Sequence, residues 1–286
     1  MKICVIGGAN LDITATSSAA FRSEDSNPGR VRTSLGGVGR NIVHNLALLG
    51  DEVTFLTVFG DDMFGKSIAE ACRNLGMDIS ACQTAENAPN PCFVSINDAD
   101  GRMVGGIADM DTTNLITPQW LQQRKDCMEK ADVVVAEANL QPESLAWLMD
   151  NSPAPLYLDA VSGPKASRIA EAYRLANNPK FHSVKYNRLE EKEVSALQTV
   201  GRHYVSMGKE GLKVIEGGRQ YSFPALAISP DRIRNMTGAG DALFAGIIHC
   251  GPKAAPEAAA AFGLRCASLT LESPEAVNPN LKNLII

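Results

Sequence analysis

Short apolar runs alternate with helical patterns of ten to fifteen residues along most of this chain. That rhythm narrows its possible folds more than any other feature. Ile3–Ile6, Val53–Phe59, Asp132–Ala136, Leu156–Asp159, Val184–Tyr186 and His203–Met207 read as strands. Helical patterns run over Lys66–Leu75, Thr117 to about Lys130, Pro142–Asn151, Pro164–Asn177, Arg188–Leu197, Ala239–Cys250 and Pro256–Leu271. Thr117-Pro118 is an N-cap followed by proline at the first helical position, and Gly50 and Gly76 are natural helix stops. Strands separated by helices imply an α/β fold with a mostly parallel sheet covered on both faces.

Two stretches break the rhythm. Residues 13–35 are polar and rich in Ser and Thr, with Asp25-Ser26-Asn27-Pro28-Gly29 as a turn between a short strand and a second one near Arg30–Leu35. Cys92–Ile96 and Arg102–Ile107 flank a hairpin tip at Asp100-Gly101. Together, about 13–35 and 92–108 predict a small β-sheet contributed in two pieces to one domain of residues 1–286. Leu212–Glu216 and Gln220–Phe223 form another hairpin around Gly217-Gly218.

Composition then excludes several classes of function. A formal net charge of -5, with no basic run, argues against a nucleic-acid partner. The seven cysteines make no C-x-x-C pair and the four histidines show no ligand spacing, so neither a zinc site nor a disulfide framework is indicated. The apolar run at Met1–Gly8 is too short for a signal peptide, and no stretch approaches the ~20 apolar residues of a membrane span. The expected setting is cytoplasmic, with reduced thiols and no membrane contact.

Chemistry concentrates at the predicted strand ends and helix starts. Thr237-Gly238-Ala239-Gly240-Asp241 precedes the apolar run Ala242–Ile248 and reads as a glycine-bearing turn opening a helix. Small residues let an anion approach the unpaired N–H groups there, and a first-turn carboxylate can serve as a base. An ordinary helix start with an aspartate would look the same in isolation. Gly36-Gly37-Val38-Gly39-Arg40-Asn41 opens another helix. The glycines do not make the G-x-G-x-x-G spacing of a dinucleotide fingerprint, and the segment before them is polar, so that reading fits poorly. Asn10 and Asp12 follow the first strand and can hold the hydroxyls of a polyol. Lys185, Asn187 and Glu190 surround a further strand end, where the lysine can face a phosphate and the glutamate can hold magnesium through water.

The two glycine motifs resemble the two signatures of the PfkB (ribokinase-like) carbohydrate kinase family. Lys185-Tyr186-Asn187-Arg188-Leu189-Glu190 resembles that family's N-x-x-E magnesium–phosphate motif, and Ser206-Met207-Gly208-Lys209-Glu210-Gly211 its nucleotide-binding turn. The likeness runs in order from the first strand to near residue 280. It implies a three-layer αβα ribokinase-like fold whose lid is the small sheet, and transfer of the γ-phosphoryl of ATP to a primary alcohol with Mg2+. Asp25–Gly29, Val38–Asn41 and Asn235–Asp241 are most similar to the branch that acts on pseudouridine, which implies its 5′-hydroxyl as acceptor.

By the same resemblance, Asp241 would take the hydroxyl proton, and the amides of Gly238, Ala239 and Gly240 would stabilise the transferring phosphate. Asn10, Asp12, Gly36, Gly37 and Asn41 would bind the ribose, with Ser26, Asn27 and Asp109 reading the base. Lys185, Asn187, Ser206, Gly208, Gly211 and Thr237 would line the nucleotide, and Glu190 and Asn187 would organise magnesium. Another sugar or nucleoside kinase of the ribose, adenosine or fructose type is the alternative, and a catalytically silent binding protein on this scaffold a further one. The edges of the small sheet suggest a homodimer through the lid. Two departures stand out. Many relatives hold a monovalent cation with an aspartate where this chain has Asn235, which weakens the expectation of potassium activation. Only about five residues, Gln198–Arg202, separate Leu197 from His203, where relatives place another helix.

Overall fold

The first strand, β1 (Lys2–Ile6), is buried from Ile3 onward, as an apolar run with no polar alternation requires. The computed structural model describes residues 1–286. β2 (Asn10–Ser17) and β3 (Gly29–Gly36) form an antiparallel pair, and α1 (Val38–Leu48) leaves from Gly37. β4 (Glu52–Leu56), β5 (Val58–Gly60), α2 (Met63–Asn74) and β6 (Gln83–Ala85) follow. β7 (Cys92–Asn97) and β8 (Met103–Asp109) make the hairpin with Asp100-Gly101 at its tip. The alternation resumes with α3 (Pro118–Gln122), α4 (Lys125–Glu129), β9 (Val133–Glu137), α5 (Pro142–Asn151), β10 (Leu156–Asp159), α6 (Gly163–Leu175) and β11 (Ser183–Asn187). α7 (Glu191–Val194), β12 (Arg202–Ser206), β13 (Leu212–Glu216), β14 (Arg219–Phe223), α8 (Ala239–His249) and α9 (Pro256–Leu271) complete the chain.

Eight strands form the main sheet in the order β14-β13-β12-β11-β10-β9-β1-β4. The strands from β4 to β12 in that order are parallel, and β13 and β14 add an antiparallel edge. Side chains alternate between two cores because strand periodicity is two. Ile3, Val5, Val133, Val135 and Tyr157 face α1, α2, α8 and α9, whose contacting residues include Ile42, Leu46, Ile68, Leu243 and Ala260. Cys4, Ile6, Val134, Ala136 and Leu158 face the other way, onto Trp120, Leu145, Leu148, Ile169 and Val194. Each fully buried aliphatic or aromatic side chain here contributes ~1.5–3 kcal/mol by leaving water. The mostly parallel three-layer core expected from the rhythm is therefore present.

A separate sheet, ordered β3-β2-β7-β8, is built from the two stretches that interrupt the alternation. β2 and β7 run parallel, while both outer pairs are antiparallel. No helix of the chain is long and apolar enough to cross a membrane.

Three elements differ from the sequence pattern. The single helix expected from Thr117 to about Lys130 is two short ones. Arg124 stacks its guanidinium 3.7 Å over the Trp120 ring and donates to the Trp120 and Ala81 carbonyls, occupying an acceptor at the break. The expected strand Val53–Phe59 divides at Thr57 into β4 and β5. The expected helix Arg188–Leu197 shrinks to α7 and a 3-10 turn at Ser195–Leu197, because side-chain bonds between Asn187 and Glu190 hold the preceding residues in a turn. The tight connection that follows is closed by buried His203. Its Nε2 lies 2.9 Å from the Leu197 carbonyl and 3.0 Å from that of Val200.

Candidate active site

The carboxyl ends of β1, β9, β10 and β11 meet the start of α8, at the edge where open α/β sheets bind ligands. α8 is buried from Asp241 through Ile248, so its sequence is apolar all round. That burial carries Asp241, in its first turn, away from solvent. The helix start has Gly238 at φ +82 and no side-chain cap. The first-turn N–H groups are thereby left to an anion.

Asp241 Oδ2 accepts a hydrogen bond from Asn41 Nδ2 at 2.8 Å, joining residues 200 positions apart. Its pKa is pushed up to about 7. Burial is the main cause, the charges of Asp159 and Glu137 add to it, and Lys185 and the Asn41 amide oppose it. Lys185 Nζ lies 3.0 Å from Asp159 Oδ2 and reaches under the turn, 3.0 Å from where a Gly240 side chain would begin. Burial alone would discharge that ammonium, but Asp159, Asp241 and Glu190 hold it above its ordinary range. A cation and unpaired N–H groups beside a carboxylate near neutrality can deprotonate a hydroxyl and stabilise charge on an incoming phosphate.

On the other side of Asp241 lies the Gly36–Asn41 turn. Gly37 has φ +97, and a side chain there would collide with the Gly8 carbonyl. Only glycine allows the two turns to pack this closely. Asn10 Nδ2 donates to Asp12 Oδ1 at 2.6 Å, and the Asp12 carboxylate occupies the space a Gly36 side chain would need. Burial pushes the Asp12 pKa up to about 6 against the pull of Asn10 and Arg40. Asn10, Asp12, Gly36, Gly37, Asn41 and Asp241 thus form one cluster around the start of α8.

The β11–β12 end makes an adjoining one. Asn187 and Ser206 are register partners. Gly208 and Gly211 follow in a closed turn in which Met207 N donates to Gly211 O at 2.9 Å and Gly211 N to Gly208 O at 3.0 Å. Gly211 sits at φ +104 against the Phe223 carbonyl, again a place for glycine alone. Thr237 is exposed, its N–H donating to Asn235 Oδ1 at 2.9 Å, while Asn235 Nδ2 reaches the Pro274 carbonyl at 3.3 Å.

Both Glu190 oxygens accept from Asn187, one from its backbone N–H at 2.8 Å and the other from its amide. No group of three or more His, Cys, Asp or Glu side chains is placed to hold a metal. The oxygen donors at this end that could reach a metal through water are the Asn187 amide oxygen and the Glu190 carboxylate.

Three sequence candidates lie away from these clusters. Ser26 and Asn27 precede Gly29, which pairs with Ser17 at the far end of the β2–β3 ladder. Asp12 is five residues back along β2, about 17 Å at the usual strand rise. Asn27 also spends its amide on its own turn, bonding Arg22 and Asp25. Asp109 is level with Cys92 and Leu11, one register step from Asp12. With a period of two it projects from the opposite face of the small sheet. The face that carries Asp12 instead presents Thr14, Phe93 and Ser95, the last donating to Thr14 Oγ1 at 3.2 Å.

Sequence reasoning missed Glu137, Asp159, Asn139 and Lys165. Buried Glu137 holds the Gly8 N–H at 2.7 Å and the Asn139 N–H at 2.6 Å, and Lys165 bonds the Asn139 amide oxygen. The available signal was a lone carboxylate closing an otherwise apolar strand, as in Val133–Glu137 and Leu156–Asp159.

The profile of the pfkB family carbohydrate kinases matches residues 1–283. The pseudouridine kinase of Escherichia coli (strain K12) is 32% identical over 300 residues, spanning 98% of this chain and 93% of that protein. A carbohydrate kinase from Agrobacterium tumefaciens superimposes with a TM-score of 0.81 at 25% identity, covering 99% of this chain and 95% of the other. Arabidopsis thaliana ribokinase, solved with ribose and ATP, has a TM-score of 0.83 at 18% identity over 98% of this chain and 97% of its own, a likeness of fold.

Proposed function

Because the chain belongs to the pfkB family of carbohydrate kinases, we propose that it transfers the γ-phosphoryl group of ATP to the 5′-hydroxyl of pseudouridine. It is a phosphotransferase with an alcohol acceptor, a sugar or nucleoside kinase. The single observation that carries the mechanism is buried Asp241, with its pKa near 7, beside the uncapped start of α8 and Lys185. The nucleoside hydroxyl lies against Asp241 and gives its proton to that carboxylate. The bond from O5′ to the γ-phosphorus forms as the bridge to the β-phosphate breaks, and ADP leaves. Lys185 and the N–H groups of Gly238, Ala239 and Gly240 stabilise charge on the moving group. Asp12 and Asn10 hold ribose hydroxyls. Ser206, Gly208, Gly211 and Thr237 line the nucleotide. Asn187 and Glu190 would hold magnesium through water, and the ion, when bound, would neutralise charge on the phosphates.

The small sheet serves as the lid, and its Asp12-bearing face, with Phe93, Thr14 and Ser95, meets the base. Pseudouridine carries a second ring N–H that uridine lacks, and a site built to pair it rejects the analogue strongly. A panel of pseudouridine, uridine, ribose and fructose 6-phosphate, followed by ATP consumption, tests this. Pseudouridine is expected to have the highest kcat/KM. A plain sugar in first place overturns the nucleoside reading and leaves another kinase of the family.

Ionisation of Asp241 sets a second expectation. The base must be deprotonated, so kcat at saturating substrates should fall about tenfold per pH unit below about pH 7. A profile that stays flat to about pH 5 would show that this carboxylate does not take the proton.

The opposite face of the lid carries Ile13, Val31, Val94, Ile96 and Ile107, with Val31 68% and Ile107 73% exposed. Asp109 is the charge at one end of this face, level with Cys92 and Leu11, and those five side chains are apolar, so the complementary surface is a second copy of the same face, and the protein is a homodimer through the lid. Sedimentation should give a dimer for the wild type and a monomer for Ile107→Asp. A wild-type monomer at micromolar concentration excludes this interface.

A further inference from the structure

Arg40 is a cation only 4% exposed, in the first turn of α1. A buried guanidinium usually answers a carboxylate. This one meets oxygen atoms of neutral groups. Its Nε donates to the Gly36 carbonyl at 3.0 Å, and its Nη2 donates to the Leu35 carbonyl and to Asn41 Oδ1, the latter at 2.6 Å. The far side of the same Asn41 amide, Nδ2, donates to Asp241.

An asparagine amide has two nearly isosteric orientations that differ only in which end accepts. A guanidinium has donors alone, so it tolerates only the amide oxygen. Turned the other way, the amide would set N–H groups against Arg40 and its oxygen against the Asp241 carboxylate, two repulsive contacts in a buried site. We propose that Arg40 is a positioning residue that, through Asn41, keeps an N–H donor on Asp241 and so holds the base oriented and ionised. The inference rests on Asp241 being the base of the proposed reaction. The donor occupies Oδ2 and leaves Oδ1 free for the proton of the acceptor hydroxyl.

The other groups facing Asp241 are Lys185 from β11, Asp159 from β10 and Glu137 from β9, and the charge of Arg40 itself also acts on Asp241 and Asp12, a charge that a lysine in its place would retain. Arg40→Lys keeps the charge but loses the rigid fork that serves three acceptors. With the amide free to turn, the acid limb of the kcat–pH profile should move up by about one unit, and kcat at pH 7 should fall more than KM for either substrate changes. In an Asn41→Ala background there is no amide to orient, so Arg40→Lys should leave the limb where Asn41→Ala put it. A wild-type limb in Arg40→Lys, or the same displacement with and without Asn41, overturns the proposal and leaves Arg40 as a brace for the Leu35–Gly36 turn. Should Arg40→Lys not fold, Asn41→Asp retains an acceptor for the guanidinium while removing the donor. Its limb must also move up, and an unmoved limb is fatal. Asp241→Asn separates the two claims: an active Asp241→Asn defeats the base assignment, whereas an inactive one with an unmoved Arg40→Lys limb defeats only the relay.

Discussion

Asp241→Asn is expected to lower kcat by ~10²–10⁴-fold, the usual worth of a positioned general base, and to make the folded protein more stable. The two effects have one cause. Burial raises the Asp241 pKa from 3.8 to about 7. The folded state therefore holds a proton that the unfolded chain releases near pH 4. The ionised carboxylate costs stability that accrues as pH rises from about 4 to about 7 and is complete above it. A neutral amide of the same shape has no such cost, so the variant's melting temperature should exceed the wild type's at pH 8 and match it more closely at pH 5. Substrate affinities should change little, because Asp241 acts on one proton of the acceptor. Retained turnover would remove Asp241 from the chemistry. An inactive variant that melts lower at both pH values would point to a structural role instead.

Gly238→Ala carries the next largest effect. Gly238 caps α8 with φ +82, a conformation that costs an alanine ~1–2 kcal/mol. A methyl group there would also collide with the Ala276 carbonyl, and because that obstacle is backbone, the turn itself must move. Its N–H groups then leave the position the phosphate needs. Loss of one such donor costs ~10²–10³-fold in rate, so kcat should fall by at least that much, with a lower melting temperature and nearly unchanged binding of the acceptor. Gly240→Ala is the matching control. A methyl group at Gly240 would meet only the flexible end of Lys185, 3.0 Å away, which can give way. The milder loss belongs to Gly240→Ala, and equal losses would mean that the turn geometry is not what matters.

Much of the architecture was legible because burial wrote itself into the chain. α5, β10 and α9 begin and end where the apolar runs and prolines put them. The Thr117–Lys130 pattern is helical throughout, and its break comes from Arg124 lying on Trp120, a tertiary contact. The candidate site was legible in its turns, where glycine is required by positive φ at 37, 211 and 238. It was less legible in its side chains. Nothing local announces that Asn41 meets Asp241, or that Arg40 fixes the amide between them. The family resemblance puts Asp109 among the residues reading the base, but only the strand register tells which face of the small sheet it occupies. Ser26 and Asn27 looked close to Asp12 in sequence, while an extended strand carries them to the other end of the sheet. The carboxylates closing β9 and β10 could have been noticed, since a charge at the end of a buried parallel strand has to be satisfied by something.

The most direct test of the account is product analysis after incubation of pure protein with pseudouridine, magnesium and ATP labelled at the γ-phosphate. The predicted result is one labelled nucleotide whose phosphorus couples to the two 5′ protons, with one ADP formed for each, and both products formed ~10²–10⁴-fold more slowly by Asp241→Asn. Label on any other oxygen, or none on pseudouridine while ribose is phosphorylated, would contradict it.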